Sequence, residues 1–191
     1  MLSAIRLPLR FDPAPLRRDV ESLQPEEWVP HFNTGIYSGD WSGVALRSVG
    51  GLPTQLYPDP TATGGFADTV VLDRCPALAA AVAEFRCPLQ AVRLLRLGPG
   101  AAVSEHCDYR LGFEDGEIRI HVPVTSNPSV DFELEGRRIP MAPGESWYLN
   151  FNLPHRVENR GATARIHLVI DCDVDDWLRE ALEAGRPLER A

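Results

Sequence analysis

The sequence predicts a mainly β protein of antiparallel strands with a few flanking helices. Short strand-like segments follow one another from about residue 91 to residue 172, with Gly-, Pro- and Asn-containing turns between them. No helical stretch interrupts that series, which argues against the βαβ crossovers of a parallel sheet. Within several segments apolar and polar residues alternate with a period of two, the spacing of an extended chain with one buried face.

Residues 1 to about 70 are rich in Pro, Gly, Ser and Asp and read as short strands and loops. Asn33-Thr34-Gly35 through Asp40-Trp41-Ser42-Gly43 reads as turns around short strands such as Val44-Ala45-Leu46-Arg47. Cys75-Pro76 opens a helix: Pro76 suits a first helical turn, and Ala77 through Arg86 are good helix formers that stop before Pro88. The strands then run at about Ala91–Leu97, Val103–Asp108, Glu117–Thr125, Val130–Met141, Glu145–Asn152 and Ala164–Cys172. Glu135-Gly136 and Pro143-Gly144 supply turns. A final helix spans Asp175 to Ala184; its acidic start complements the helix dipole, and Gly185 and Pro187 end it. The architecture that fits best is a double-stranded β-helix (jelly roll, cupin-like), which sets two sheets around a pocket. No repeat or linker divides the chain. The expectation is one domain over 1–191, with N-terminal strands, loops and a helix over 1–90, a metal-binding jelly-roll core over 91–174, and a helix and tail over 175–191.

The 191 residues are 44% hydrophobic, enough for one real core. A net charge of -8, with arginine as the only basic residue apart from histidine, speaks against nucleic acid or an anionic membrane as partner. Arg6, Pro8 and Arg10 break the N-terminal apolar stretch before it reaches signal-peptide length, and no run is long enough to span a bilayer. A cytoplasmic protein is expected, with Cys75, Cys87, Cys107 and Cys172 reduced; they show no C-x-x-C spacing, so ordinary burial is the default.

His106-Cys107-Asp108 and His155 carry the most chemistry. A histidine and a carboxylate two residues apart share one face of an extended strand, and a histidine from a distant strand can complete a three-ligand cap. Two histidines and a carboxylate with an open opposite face suit non-haem Fe(II), and zinc accepts the same atoms. In Ile118-Arg119-Ile120-His121-Val122-Pro123-Val124 the polar residues Arg119 and His121 share a face; Arg165 and His167 do so in the strand from Arg165 to Ile170. Either strand can present that face to water. With His106, Asp108 and His155 upstream, a pocket is the better reading. Arginine's planar fork would hold one end of a dicarboxylate keto acid while the other end chelates the metal.

The runs Leu97-Gly98-Pro99-Gly100 through His106, Ile118-Arg119-Ile120-His121, Leu153-Pro154-His155-Arg156 and Arg165-Ile166-His167-Leu168-Val169-Ile170-Asp171 resemble the aspartyl/asparaginyl β-hydroxylase domain family. That family belongs to the Fe(II)/2-oxoglutarate-dependent oxygenases and takes in cis-proline hydroxylases. The resemblance covers about residues 90 to 175. It implies Fe(II) at His106, Asp108 and His155, 2-oxoglutarate anchored by Arg165 with Arg119 and His121 nearby, and O2 as oxidant. The implied activity is hydroxylation of an amino-acid residue, either the β-carbon of Asp or Asn in a peptide or protein, or a free amino acid such as proline. The animal peptidyl members have glycine where this chain has Asp108, which weakens transfer of the peptide substrate.

Two other readings use the same residues. A cupin-type metalloenzyme, an isomerase or co-substrate-free dioxygenase, would not need Arg165. A non-catalytic jelly-roll binding module would have little reason to keep all three ligands. His31, Asn33, Asp40 and Trp41 are substrate-contact candidates because they lie in loop-like sequence, although a structural role suits Trp41 better. His31 and His167 read as ordinary hydrogen-bonded histidines. Tyr148, Asn150 and Asn152 share a face leading to His155 and are candidates for the pocket border. Arg110 or Arg156 would be available to an acidic substrate. The substrate is expected to be an amino acid or peptide, and the sequence leaves the oligomeric state open.

Overall fold

A computed structural model describes residues 3–57 and 64–188. In chain order the strands are β1 (Ala4–Arg10), β2 (Val29–Pro30), β3 (Tyr37–Ser38), β4 (Trp41–Val49), β5 (Phe66–Asp68), β6 (Leu89–Leu97), β7 (Ala102–His106), β8 (Glu117–Thr125), β9 (Val130–Leu134), β10 (Arg137–Arg138), β11 (Glu145–Leu149), β12 (His155–Asn159), β13 (Arg165–Asp173) and β14 (Arg186–Pro187). The helices are α1 (Pro13–Glu21), α2 (Val70–Asp73), α3 (Pro76–Ala83) and α4 (Asp176–Glu183). The larger sheet has the order β14-β1-β11-β8-β13-β6-β4-β2, with β5 beside β4, and the smaller sheet has the order β10-β9-β12-β7-β3. This is the jelly roll that the strand series predicts.

The alternation in β8 and β13 decides what lies where. Ile118, Ile120, Val122 and Val124 point from the large sheet to one side, with Ile166, Leu168 and Ile170 beside them, and pack on Leu16 and Val20 of α1, Leu78 and Val82 of α3, and Leu178 and Leu182 of α4. Each fully buried Leu or Ile there contributes about 1.5–3 kcal/mol. A second core of Leu97, Val103, Phe132, Leu149, Phe151 and Val157 lies between the two sheets. Residues of opposite parity in β8 and β13, Arg119, His121, Arg165, His167 and Asp171, therefore face the sandwich interior. The solvent-face alternative for these strands is excluded: His121, Arg165, His167 and Asp171 are all buried.

Turn chemistry matches the strand pairing. Leu134 and Arg137 are register partners around Glu135-Gly136, and both turn residues have positive φ (52° and 70°), as a two-residue type I′ hairpin requires. Gly144 has φ 82° and sits so close to the Phe11 carbonyl that a Cβ there would lie 2.1 Å from its oxygen.

Several elements go beyond the sequence reading, among them β2, β5, α2, β14 and β12, which opens at His155; three others bear on the packing. β1, read only as an interrupted apolar stretch, is a strand between β11 and β14. Trp41 to Gly43, read as turn, opens β4. α1 was not anticipated; Asp12 caps it by accepting from the Ala14 N–H, and its Asp19 accepts from the Ala77 and Leu78 N–H groups at 2.7 and 2.9 Å, capping α3 from another helix.

β1 is tied to β11 by charge. Glu145 Oε1 accepts from Arg6 (2.9 Å) and Arg10 (3.0 Å), while Oε2 accepts from the Trp147 indole and the Ala142 N–H. Burial pushes the Glu145 carboxyl up, but these hydrogen bonds outweigh it and hold it below its ordinary range. A depressed carboxyl stabilises the fold above the usual carboxylate range, and the contribution is lost as pH falls through it. Glu145→Gln is expected to lower unfolding free energy by about 1–3 kcal/mol at neutral pH. Urea titrations should show that deficit shrinking on acidification to about pH 3; a pH-independent deficit would show that the charge contributes nothing.

Candidate functional site

β7 and β12 are antiparallel neighbours in the small sheet, and His106 and His155 are register partners across them. Their rings lie 4.2 Å apart, centroid to centroid. β7 ends at His106, so Asp108 is not placed by strand alternation as the sequence predicts. The chain turns out of the strand, and the Asp108 N–H donates to the Phe151 carbonyl at 2.9 Å, fixing the loop beside the segment that leads to β12. The potential ligand atoms of His106, Asp108 and His155 all lie within 4.8 Å of one another. Asp108 Oδ1 is 3.7 Å from His106 Nε2.

The imidazoles are oriented for coordination. His106 Nδ1 meets the Ser104 carbonyl at 2.7 Å and His155 Nδ1 meets the Leu153 carbonyl at 3.0 Å. A carbonyl only accepts, so each Nδ1 carries a proton, which leaves Nε2 as the nitrogen available to a metal. Burial pulls His155 down to about 4, which keeps it neutral. The donor set fits a first-row divalent ion: two imidazoles, one carboxylate and backbone carbonyls in the outer shell.

These residues line a cavity of about 390 Å³ that also receives Arg119, His121 and Arg165. Arg165 is buried, and its one side-chain hydrogen-bond partner among the described residues is His167 Nδ1 at 2.8 Å. Its Nε has no hydrogen-bond partner among the described residues. Burial pulls its guanidinium down to about 9, with no carboxylate opposing. A buried cation without an anion is costly, and a carboxylate ligand would relieve it. The cavity thus fits a dicarboxylate keto acid on an observation of its own. Arginine only donates, so His167 Nδ1 accepts, and His121 Nδ1, 3.1 Å away, donates to the same atom. His121 Nε2 is left as a buried acceptor with no partner among the described residues. Burial and the Arg165 charge hold both imidazoles well below their ordinary value, hence neutral.

Arg119 lies in the cavity but faces carboxylates of the chain itself, Asp171 and Asp108. Burial disfavours its charge, but Asp171 and Asp108 outweigh that and keep it protonated.

The N-terminal wall holds residues the sequence left as loop candidates. The His31 ring stacks on Trp41 at 3.5 Å and on the largely exposed Phe32 at 4.9 Å, with Tyr57 edge-on to His31. All four line the cavity. Burial pulls His31 down to about 4, so this wall is neutral. Trp41 also packs against the core between the sheets, and His31 Nδ1 accepts from the Asn33 N–H, so the structural roles expected of both sit beside their place in the cavity wall. Tyr148 goes the other way: it packs in the helix-side core and its hydroxyl accepts from the Phe113 N–H. Asn152 bonds the Leu111 N–H and Asp115, and neither it nor Asn150 lines the cavity. Arg156 is taken by Glu133 on the neighbouring strand.

The sequence profile of the aspartyl/asparaginyl β-hydroxylases matches residues 13–174. The chain belongs to the aspartyl/asparaginyl β-hydroxylase family. This family member is 26% identical over 176 residues to L-proline cis-4-hydroxylase of Rhizobium meliloti (strain 1021), an alignment covering 85% of the chain and 58% of that protein. It therefore spans little more than half the length of that curated relative. Among solved structures, its fold is similar to the non-heme alpha-ketoglutarate-dependent epimerase SnoN from nogalamycin biosynthesis (TM-score 0.52, 13% identity, 89% of this chain and 77% of that one). A Pseudomonas putida prolyl-4-hydroxylase aligns with 92% of this chain and 94% of its own at 14% identity and TM-score 0.49. Both likenesses concern the fold. Among the described residues of this β-hydroxylase family member, no helix is long and apolar enough to cross a membrane.

Proposed function

We propose that the protein is an Fe(II)/2-oxoglutarate-dependent hydroxylase acting on a small free amino acid. The observation that carries this reading is the buried Arg165, which meets no carboxylate among the described residues, in the same cavity as His106, Asp108 and His155. A metalloenzyme without co-substrate would have no use for a buried cation there, and a binding module would not need three convergent ligands. The relative named for proline and Asp108, which completes the ligand set, both support an amino-acid substrate. Free rather than peptidyl substrate is supported by size: about 390 Å³ is near the lower end of the range of ligand pockets. Cytoplasmic placement belongs to the same reading, since the free thiols suit a reducing compartment.

His106, Asp108 and His155 would hold Fe(II), which together with O2 and 2-oxoglutarate supplies the oxidising chemistry that exchanges C–H for C–OH and releases succinate and CO2. Arg165 binds the far carboxylate of the co-substrate and gives up an uncompensated charge in doing so. His121 lies beside the co-substrate, its Nε2 accepting from a bound water or hydroxyl. Arg119 closes the same wall. Phe132 and Phe151, at the base of the cavity, limit water around the reacting centre. The His31, Phe32, Trp41 and Tyr57 wall meets the body of the substrate.

Succinate release from 2-oxoglutarate is expected to require added Fe(II) and O2 and to rise with a free amino acid, proline and its ring homologues first. Asp- and Asn-containing peptides are the comparison set. Stimulation by peptides alone would overturn the substrate assignment, and absence of 2-oxoglutarate binding would overturn the class.

A further inference from the structure

Asp171 stands at the centre of a charge network that the catalytic reading leaves unused. It is buried on β13, and Arg119 on β8 is its direct register partner. Arg119 Nε donates to Asp171 Oδ1 at 2.7 Å and NH2 donates to Oδ2 at 3.0 Å. Arg93 on β6, whose side chain is fully buried, donates to the same Oδ2 at 2.9 Å. The two-point grip fixes the plane of the Arg119 guanidinium, because the fork and the carboxylate are both rigid and planar. The third nitrogen, NH1, then reaches Asp108 Oδ2 at 2.6 Å. Phe151 secures the other end of Asp108: its carbonyl accepts the Asp108 N–H, and its ring lies 5.4 Å from the Arg119 guanidinium carbon.

The consequence concerns how many oxygens Asp108 can offer. Oδ2 is held by Arg119, while Oδ1 is the oxygen 3.7 Å from His106 Nε2. A carboxylate free to turn can bind a divalent ion through both oxygens, as such groups do at other metals. At this site a second oxygen would occupy a position that a chelating keto acid and O2 need.

We propose that Asp171 is a positioning residue that acts through Arg119 to hold Asp108 as a one-oxygen ligand and so keeps the metal's open face open. The proposal rests on the metal-binding reading of His106, Asp108 and His155. It differs from a packing role in what it predicts. Arg93 and Asp171 could neutralise each other with Arg119 absent; what they could not do alone is orient a metal ligand. Outer-shell partners of this kind are worth about 10–100-fold in metal affinity.

The test uses the full chain stripped of metal and titrated with Co(II), followed by calorimetry and by the visible absorption of the bound ion, which reports coordination number. Anaerobic Fe(II) with 2-oxoglutarate, read by the charge-transfer absorption of the chelate, gives the open positions. Asp171→Asn is expected to weaken Co(II) binding by about 10–100-fold, to change its spectrum, and to weaken keto-acid chelation. Arg119→Lys, which keeps the charge but lacks the planar fork that grips Asp171 at two points while reaching Asp108, should do the same, and it carries the test if Asp171→Asn fails to fold. In an Asp108→Ala background Asp171→Asn should add no further loss of Co(II) affinity. Arg93→Gln disturbs the same buried cluster one step further back, and its Co(II) spectrum should stay that of the wild type. Wild-type Co(II) affinity and spectrum in folded Asp171→Asn, or a full additional loss in the Asp108→Ala background, would overturn the proposal. Failure of the wild-type protein to bind Co(II) would instead remove the metal reading beneath it.

Discussion

Asp108→Ala and His155→Ala are expected to abolish 2-oxoglutarate-dependent succinate formation, a fall of about a thousandfold or more. That is the effect of removing a ligand from an ion that contributes several kcal/mol to the reaction. The loss should be one of metal, not of fold. The Asp108 side chain is 28% exposed and lies in a loop beyond β7, so its truncation empties no core. His155 is more enclosed, and its ring packs against Phe151 at 4.7 Å, so some loss of stability accompanies that variant. Circular dichroism with Co(II) titration separates the two effects: both variants should keep the far-ultraviolet spectrum and bind the ion much more weakly. Turnover persisting in either folded variant would remove that residue from the metal site.

Arg165→Met is expected to raise the 2-oxoglutarate requirement about tenfold to a hundredfold, the range for losing a charge-assisted hydrogen-bonding partner. Its effect on the free protein has the opposite sign. The guanidinium is buried against Phe132 and His167 with no anion among the described residues, and burial pulls it down to about 9. For a base whose folded value lies below its unfolded value, the folded state bears a penalty at every pH below that folded value. The penalty is relieved only as pH rises from there toward arginine's ordinary range. Arg165→Met should therefore melt no lower than the wild type without co-substrate. The wild type should gain melting temperature on adding 2-oxoglutarate, and the variant should gain far less. Equal stabilisation of both by 2-oxoglutarate would show that the co-substrate anchors elsewhere.

The contrast between Arg119 and Arg165 shows how far sequence reading reaches. Both alternate with apolar neighbours on strands whose other face is core; period two left that polar face open to water or to a pocket, and only the His106, Asp108 and His155 set favoured the pocket. What could not be read was which of them meets a carboxylate already present. Asp171 lies at the same parity as Arg165, six residues on in β13, but its partner Arg119 comes from β8 and is opposed only by strand register. The strand boundaries of β8 and β13 were legible for the same local reason. β1 and α1 were not: β1 is stabilised by its pairing with β11 and by Glu145, and α1 by packing on the core and by tying Asp19 to α3.

The metal ligands show the same division. His106, Asp108 and His155 are recognisable by residue type and order, because few side chains can bind a divalent ion and those three recur in a set known for open coordination. Their convergence depends on β7 and β12 being neighbours with His106 opposite His155, and Asp108 is brought in by a backbone bond to Phe151 across the loop. The cavity wall of His31, Phe32, Trp41 and Tyr57 had no periodic signal at all, because it is assembled from β4 and irregular loops. By itself the sequence determined the strand series, the alternation in β8 and β13 and a candidate metal-ligand set, since alternation and ligand chemistry are properties of a short stretch of chain. Only the tertiary structure decided which buried charges neutralise one another and which one is left for a ligand, because that depends on register between strands far apart in sequence.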